Sequence, residues 1–157
     1  MCGIAGFITA KSTDSAVSAT TLSNMGAALS HRGPDDNGIW HDKESGIGLA
    51  HSRLSVIDLS PAGHQPMSSA SSRFVIAFNG EIYNHLNIRI ELEASGRSIA
   101  WKGHSDTETL CAAFDLWGVE KTLKKCVGMF ALAVWDQRDR NLILARDRLG
   151  EKPLYYG

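Results

Sequence analysis

The order of strand-like and helix-like segments is the feature that most restricts how this chain can fold. Four early segments have strand character: GIAGFIT, NGIWHD, GIGLAHSRLSVI and RFVIAFN. A helix is predicted over residues 20–31, between the first and the second of them. Two helices come next, and three late segments again have strand character: MFALAVWD, NLILARD and PLYY. This order predicts an α+β protein, and two sheets with helices outside them would satisfy it.

Two local patterns predict how the later helices pack. In EIYNHLNIRIELEASG, helical spacing predicts that Leu86 and Ile90 face inward and that Gly96 lies beyond the helix end. The segment SDTE predicts a capping box, in which Ser105 caps the next helix while the Glu108 side chain reaches back. The apolar stripe of that helix is predicted to comprise Leu110, Ala113, Phe114 and Trp117.

Composition and charge exclude several classes of protein. The chain has 157 residues and a formal net charge of −1, which fits one globular domain and gives no reason to expect nucleic acid as a partner. No apolar run approaches the length of a membrane span, and the apolar start lacks the basic flank of a secretory signal. The three cysteines, Cys2, Cys111 and Cys126, form no CxxC pair, and their odd number favours a reducing, cytoplasmic environment.

Cys2 follows the initiator methionine directly, and removal of Met1 would place a thiol and a free α-amine on the first residue. An α-amine has an ordinary pKa of about 8, so it is able to act as a base at neutral pH. Thiol and amine on one residue therefore form a nucleophile–base unit that needs no histidine. The alternative is that Cys2 is a small apolar residue at the start of a strand, which is common for cysteine.

The segment FNGEIYN offers the hydrogen-bond donors that an attacked carbonyl requires. The carbonyl oxygen becomes negative, and the Asn79 side chain together with the Gly80 N–H would provide donors fixed in advance. The alternative is a hairpin, because Asn-Gly favours a two-residue turn. The pattern after this pair is helical, which weakens the hairpin interpretation because no second strand follows.

Two charged residues fit the two ends of a free α-amino acid. Arg53 in AHSRLSVID carries a planar fork that matches a carboxylate, and Asp106 in GHSDTE carries the charge that an ammonium group needs. Each has an ordinary alternative: a weak surface ion pair for Arg53, and a favourable charge in a first helical turn for Asp106. Nothing in the sequence requires the nearby His51 or His104 to touch a substrate.

Seven segments stand in the order found in one enzyme family and together span nearly the whole chain: MCGIAGF, HRGPDD, AHSRLSVIDLSPAGHQPM, FNGEIYN, GHSDTE, GMFALAVWD and ARDRLGEKPLYYG. The chain resembles the class II glutamine amidotransferases, and within them the glutaminase domain of glutamine-hydrolysing asparagine synthetases. The segment RLSVIDLSPAGHQPM is similar to asparagine synthetases rather than to the amidotransferases that aminate sugar phosphates.

The resemblance implies an N-terminal-nucleophile fold, which is an αββα four-layer sandwich. It implies that Cys2 is the nucleophile after removal of Met1, and that Asn79 and Gly80 form the oxyanion hole. The implied reaction hydrolyses glutamine to glutamate and ammonia through a γ-glutamyl thioester on Cys2. The α-amine would act first as base and then as acid.

The resemblance also implies how glutamine is bound. Arg53 is expected to bind the glutamine carboxylate, and Asp106 its α-amino group. Further residues are expected to line the glutamine pocket, partly through backbone groups: Leu54, Ser55, Val56, Ile57 and Glu81. The HRGPDD loop is expected to shape that pocket through His31, Arg32, Gly33 and Asp35.

Residues 1–157 are expected to form one type 2 glutamine amidotransferase domain that is truncated at its C-terminal end and lacks the synthetase domain. No metal or other cofactor is expected here, since the six histidines show no HxxxH spacing; ATP and Mg²⁺ belong to the synthetase domain. The expected partners are glutamine and an ammonia-accepting synthetase domain or subunit, with neither nucleic acid nor membrane. A sheet edge or apolar face left uncovered would favour self-association, for instance as a homodimer, and the isolated chain need not be active.

Two alternatives remain open on the sequence. One is a non-catalytic module of the same fold that docks to or regulates a synthetase. The other is an N-terminal-nucleophile amidase that acts on another amide.

Overall fold

The computed structural model describes residues 2–9 and 15–157, and its strands and helices follow the predicted order closely. The strands are β1 Gly3–Ile8, β2 Asp36–Asp42, β3 Ile47–Arg53, β4 Met67–Ser68, β5 Phe74–Ile82, β6 Gly128–Asp136 and β7 Asn141–Arg146. The α-helices are α1 Ser15–Ala28, α2 His85–Glu93, α3 Asp106–Trp117 and α4 Val119–Lys125.

The strands form two antiparallel sheets. The first has the order β1-β3-β2, and the second has the order β4-β5-β6-β7. In the first sheet Gly3 pairs with Ser52, so the residue that follows Cys2 lies beside the end of β3. In the second sheet β5 and β6 pair along nine residues, from Phe74 opposite Asp136 to Ile82 opposite Gly128.

Two apolar cores separate the layers. One lies between the sheets and consists of Ile47, Leu49, Val75, Ala77, Ala133 and Trp135. The other lies between the second sheet and its helices and includes Ile76, Phe78, Ile88, Leu110, Phe114 and Leu132. Helix α1 packs on the first sheet, while α2 and α3 pack on each other and α3 on the second sheet. The resulting order of helix, sheet, sheet and helices is the predicted αββα sandwich.

Strand β5 is buried on both faces, and its side chains alternate between the two cores. Val75 and Ala77 face the other sheet, whereas Ile76, Phe78 and Ile82 face the helices. This alternation follows from the two-residue period of a strand. It fixes the Asn79 side chain on the face directed toward the first sheet.

The inward face predicted for α2 is wrong. Leu86 and Ile90 are 61% and 64% exposed, whereas Ile88 and Leu92 are buried in the helix-side core. The helix begins only at His85, since β5 continues through Ile82 before the chain turns. The buried stripe is therefore displaced from the one predicted, although both have helical spacing.

The capping box at the start of α3 is half confirmed. The Ser105 hydroxyl accepts a hydrogen bond from the Glu108 N–H at 3.1 Å. The Glu108 carboxylate instead accepts hydrogen bonds from the N–H groups of Lys102 and Gly103, and it pairs with the Arg89 guanidinium. Glu108 therefore organises the loop before the helix rather than returning to the Ser105 N–H.

Three other boundaries differ from the prediction. Helix α1 begins at Ser15 and ends at Ala28, where a 3-10 turn over Ser30–Arg32 replaces the predicted continuation. Strand β3 ends at Arg53, so the following residues belong to a loop. The predicted PLYY strand is absent from the described residues, where 153–156 are irregular and Tyr155 is 90% exposed.

Within the described part of the chain, no helix combines the length and apolar character that crossing a bilayer requires.

Candidate active site

One pocket brings together nine of the ten residues predicted for the site, Cys2 among them. The predicted residues that line it are Cys2, Arg53, Leu54, Val56, Ile57, Asn79, Gly80, Glu81 and Asp106. They come from the start of β1, the end of β3, the late part of β5 and the start of α3. The pocket thus lies where both sheets and a helix N-terminus meet.

Cys2 directly precedes β1 and is half-buried. Its Sγ accepts a hydrogen bond from the Leu54 N–H at 3.4 Å and lies 3.7 Å from the Leu54 carbonyl oxygen. Leu54 is the first residue after β3, so the antiparallel pairing of β1 with β3 places the sulfur. The position of the thiol is therefore set by sheet register rather than by a loop.

The edge of β5 that faces away from β6 carries the main backbone donors of the pocket. Strand β4 covers this edge only at Val75 and Ile76. Beyond that point the Phe78 N–H donates to Oε1 of Gln65 at 2.7 Å, and the Ile82 N–H donates to Oδ2 of Asp106 at 2.9 Å.

The Gly80 N–H lies between these two groups on the same edge, because backbone N–H groups alternate sides along a strand. Gly80 lines the pocket, so its N–H is directed toward the space in which a ligand would lie. A Cβ at this position would lie 2.2 Å from the Met129 carbonyl oxygen and 2.6 Å from the Phe130 Cα. Only glycine allows β5 and β6 to pair this closely at this point.

Asn79 is 5% exposed, and its side chain leaves β5 in a different direction from the Gly80 N–H. Its odd position in β5 directs the side chain toward the first sheet, from which Cys2 also enters the pocket. The side-chain amide of Asn79 and the backbone N–H of Gly80 therefore come to the pocket from different directions. Two donors arranged in this way suit an oxygen that gains negative charge.

Arg53 is 7% exposed, and its guanidinium is held by the loop that follows β3. Nη1 donates to the Ser60 carbonyl at 3.0 Å, and Nη2 donates to the Asp58 carbonyl. A Cβ on Gly63 would lie 2.1 Å from Nη2, so a larger residue there would displace the guanidinium from this position. Because a guanidinium has five N–H donors, these two bonds fix its position while leaving donors for an anionic ligand.

Asp106 is the first residue of α3 and is 5% exposed. Burial raises the pKa of its carboxyl above the usual range, although hydrogen bonds from the Ile82 and Thr107 N–H groups oppose the rise. Nearby His85 also favours the charged form. The Asp106 side chain therefore places a hydrogen-bond acceptor that can carry a negative charge in the wall of the pocket.

Ser55 lies apart from the other predicted residues. Its N–H donates to Oδ2 of Asp35 at 2.8 Å, and it borders a separate surface depression with Asp35 and His64. The Asp35 N–H donates in turn to the Arg53 carbonyl at 3.0 Å. Asp35 of the HRGPDD loop therefore holds the backbone on both sides of Leu54.

Several polar residues of the pocket were not predicted to belong to the site: Asp58, Gln65, Thr107 and Lys152, together with Ser105, which was predicted only as a helix cap. The Ser60 side chain, the His104 N–H and the Ser60 N–H all favour the charged Asp58 carboxylate, and they lower its pKa to about 2 against the opposing effect of burial. Gln65 and Lys152 both lie within segments that carry the family resemblance. The resemblance was thus the only available signal for them, because they lie in loops without periodicity.

The other cysteines and His51 belong to the interior. Cys111 and Cys126 are buried and unpaired, and both belong to the helix-side core. His51 is 1% exposed, and its Nε2 lies 3.0 Å from the Phe78 carbonyl oxygen. Burial lowers the pKa of His51 to about 4, so the neutral ring donates through Nε2 and joins β3 to β5 across the two sheets.

Comparison with known proteins agrees with this geometry. A family model described as a glutamine amidotransferase domain matches residues 1–157. Asparagine synthetase [glutamine-hydrolyzing] 1 of Bacillus subtilis is 41% identical over 157 residues, which are 99% of this chain and 24% of that protein. Asparagine synthetase [glutamine-hydrolyzing] 3 of the same organism is 39% identical over 158 residues, which are 99% of this chain and 25% of that protein.

A solved structure shares the fold. It is the glutamine phosphoribosylpyrophosphate amidotransferase from B. subtilis in complex with ADP and GMP, with a TM-score of 0.64 and 19% identity. The match covers 93% of this chain and 36% of that one. The chain spans about a quarter of the length of the curated relatives it matches. By its sequence and its fold, the chain belongs to the glutamine amidotransferase domain family.

Proposed function

We propose that this chain hydrolyses glutamine to glutamate and ammonia and delivers the ammonia to an ATP-dependent asparagine synthetase. The observation that carries the proposal is the shared pocket of Cys2, Arg53, Asp106 and the Gly80 edge of β5. A thiol, two oxyanion donors and both charges that a free α-amino acid needs are rarely combined by accident. The relatives named as glutamine-hydrolysing asparagine synthetases support the same activity.

In the first half-reaction the Cys2 thiol attacks the side-chain amide carbon of glutamine. The free α-amine of Cys2 takes the thiol proton as the carbon–sulfur bond forms, and the carbonyl oxygen becomes an oxyanion between the Asn79 amide and the Gly80 N–H. Collapse of this intermediate breaks the carbon–nitrogen bond. The protonated amine returns its proton to the departing nitrogen, which leaves as ammonia.

In the second half-reaction water hydrolyses the γ-glutamyl thioester. The α-amine takes a proton from the water as its oxygen attacks the thioester carbon, and the same two donors hold the second oxyanion. The carbon–sulfur bond then breaks, and the proton returns to the sulfur as glutamate is released. The thiol and the amine are thereby regenerated, and neither half-reaction in this proposal uses a metal or a nucleotide.

Recognition of glutamine uses the two charges at opposite walls of the pocket. The remaining N–H donors of Arg53 would bind the α-carboxylate in a charge-assisted pair. The Asp106 carboxylate would bind the α-ammonium group, and its two backbone hydrogen bonds keep it oriented. Both partners are buried before substrate arrives, so the ligand meets a site that is already arranged.

The ammonia acceptor is proposed to be a synthetase domain or subunit, with ATP and Mg²⁺ bound there rather than on these residues. The support is that the matched relatives are about four times longer than the matched segment. We also place the activity in the cytoplasm, since Cys2, Cys111 and Cys126 are all free and a reducing environment keeps such thiols available.

The test is glutamate release from glutamine by protein that begins at Cys2, compared with the Cys2→Ser variant. The serine variant nearly keeps the size of the side chain, and we expect its rate to fall by at least about a thousandfold, since a hydroxyl is a far weaker nucleophile than a thiolate. Ammonia should appear in equal amount to glutamate. An unchanged rate in Cys2→Ser would refute the proposal.

Two alternatives predict different outcomes in binding, labelling and variant experiments. A non-catalytic docking module would bind a synthetase tightly while releasing no glutamate and resisting a glutamine-like electrophile at Cys2. An amidase for another amide would tolerate Arg53→Ala, because its substrate would lack the α-carboxylate. Arg53 and Asp106 are buried, and their charges match the two ends of a free α-amino acid. This favours a glutaminase over both alternatives.

A further inference from the structure

We propose that Gln65 is a positioning residue for the oxyanion donor, because it fixes the edge of β5 at which the Gly80 N–H is presented. This inference rests on the proposed glutaminase activity for its kinetic consequence. It concerns a residue that touches neither the sulfur nor the charged groups in the bonds described above. Its effect on the reaction passes through the backbone of β5.

Gln65 is buried, with 5% of its surface exposed, and both ends of its side-chain amide are used. Oε1 accepts the hydrogen bond from the Phe78 N–H at 2.7 Å. Nε2 donates to Oγ1 of Thr107 at 3.2 Å. One side chain therefore joins the strand that carries Asn79 and Gly80 to the first turn of α3.

The need for such a residue follows from the short length of β4. Because β4 begins only at Met67, opposite Ile76, the β5 edge from Phe78 to Ile82 is not paired with a strand among the described residues. An uncovered buried edge leaves N–H and C=O groups unsatisfied unless side chains replace the missing strand. Gln65 satisfies the Phe78 N–H, and His51 satisfies the Phe78 carbonyl.

The replacement is symmetrical about Gly80. Two residues before it, the Phe78 N–H is bound by Gln65, and two residues after it, the Ile82 N–H is bound by Asp106. Gln65 and Asp106 are themselves connected, since Thr107 donates its N–H to Asp106 and accepts from Gln65 through its hydroxyl. Gln65 and Asp106 therefore occupy the N–H groups of Phe78 and Ile82, and they leave the Gly80 N–H between them for the oxyanion.

Loss of the bond between Gln65 and the Phe78 N–H should slow the chemical step more than it weakens glutamine binding. Oxyanion donors act on charge that exists only in the transition state, and loss of one donor costs about a hundredfold to a thousandfold in kcat. A displaced donor costs less than a missing one, so we expect a decrease of about tenfold or more. Gln65 hydrogen-bonds neither Arg53 nor Asp106 directly, and Asp106 keeps its own bonds from the Ile82 and Thr107 N–H groups, so KM should change by less than about threefold.

The experiment compares Gln65→Met with the parent protein and with Gln137→Met, all starting at Cys2. Gln137 is exposed, and its side-chain amide donates to the Ser72 carbonyl far from the pocket, so it controls for the chemical change. Glutamate release gives kcat and KM. Thr107→Val removes only the anchor of Nε2, and the double variant Gln65→Met with Thr107→Val tests whether the two act as one unit.

Two further readouts separate positioning from loss of the fold. In folded protein an aromatic disulfide reagent should reach Cys2 only, because Cys111 and Cys126 are buried; three reactive thiols would reveal unfolding. Should Gln65→Met unfold, Thr107→Val alone decides, since it keeps the bond to Phe78. Hydrogen exchange over residues 78–82 should be faster in Gln65→Met than in the parent, and this readout needs no turnover.

The inference predicts lower kcat in Gln65→Met and Thr107→Val, nearly unchanged KM, faster exchange over β5, and a double variant no slower than Gln65→Met. It is overturned if kcat stays within about twofold of the parent in folded variants, or if the two effects multiply. A parent that releases no glutamate refutes the proposed function instead. In that case the exchange comparison still supports or overturns the positioning of β5 by Gln65.

Discussion

The Ile82 N–H donates a hydrogen bond of 2.9 Å to the Asp106 carboxylate. The Asp106 side chain therefore satisfies the open edge of β5 and also provides an acidic group in the pocket wall. This connection links a binding group to the strand that carries Asn79 and Gly80. It also explains how the first turn of α3 is held against the second sheet, since the carboxylate is shared between Ile82 and the Thr107 N–H. The roles are separable, because an asparagine keeps one oxygen while removing the charge.

Replacement of Asp106 by asparagine should raise KM for glutamine by at least about tenfold, because the buried ion pair with the substrate ammonium is lost. The matched control is Asp115→Asn on the same helix, whose carboxylate bonds Ser71 at the surface. Initial rates over a range of glutamine concentrations measure both. Equal KM values in the two variants would exclude Asp106 as the ammonium partner.

Replacement of Gly80 by alanine should lower both stability and activity, because the new Cβ would overlap the Met129 carbonyl and the Phe130 Cα. We expect a loss of about 2 kcal/mol or more in the free energy of unfolding, as for other overpacked sites. Gly26→Ala is the control, since its Cβ would meet only the Ala50 side chain at an ordinary 3.6 Å. Urea unfolding followed by circular dichroism distinguishes them, and equal midpoints would contradict the close β5–β6 approach.

The packing of α2 gives a prediction independent of catalysis. Ile88 is 1% exposed and Ile90 is 64% exposed, so Ile88→Ala should cost about 2–5 kcal/mol in unfolding free energy and Ile90→Ala less than about 0.5 kcal/mol. The two substitutions are chemically identical and lie two residues apart on one helix. A larger cost at Ile90 would restore the inward face that the sequence pattern suggested.

Asp147 should make the protein sensitive to acid. Burial alone would raise the pKa of its carboxyl, but N–H groups that include those of Phe130 and Lys152 bond to it and bring the pKa down to about 2. A depressed pKa stabilises the fold above the unfolded value of 3.8, and that contribution disappears as the pH falls toward 2. Asp147→Asn should thus be less stable than the parent at pH 7, with the gap narrowing between about pH 4 and pH 2. Melting temperatures across this range measure the gap, and a constant gap would contradict the assignment.

The layers of the fold could be predicted because their causes are local. The unbroken apolar runs of β5 and β6 and the alternating large apolar residues at the start of β3 mark these strands in the sequence. The face of α2 could not be read in this way, because IRIEL places Ile88, Ile90 and Leu92 two apart, and only the end of β5 decides which of them lie inward. The PLYY segment has strand-forming residues, but no neighbouring strand among the described residues pairs with it.

The candidate site was predictable only where chemistry or resemblance marked a residue. Cys2, Arg53 and Asp106 carry reactive or charged groups, and Asn79 and Gly80 form a recognisable pair. Their convergence on one pocket depends on contacts between residues far apart in the chain.

Gln65 and Thr107 were missed because their importance lies in partners that no spacing rule reveals. The bond from Gln65 to Phe78 exists only because β4 is too short to cover that edge of β5. Sequence reasoning assigns strand positions but does not assign the edge that lacks a partner.

The central claim is that the α-amine of Cys2 is the base for its own thiol, and its most direct test is glutamate release measured before and after treatment with a methionine aminopeptidase. Intact mass spectrometry of the same samples gives the fraction of chains that begin at Cys2. The account predicts that the rate rises in proportion to that fraction and is negligible while Met1 is retained. Glutamine hydrolysis that is equally fast in chains retaining Met1 would contradict it.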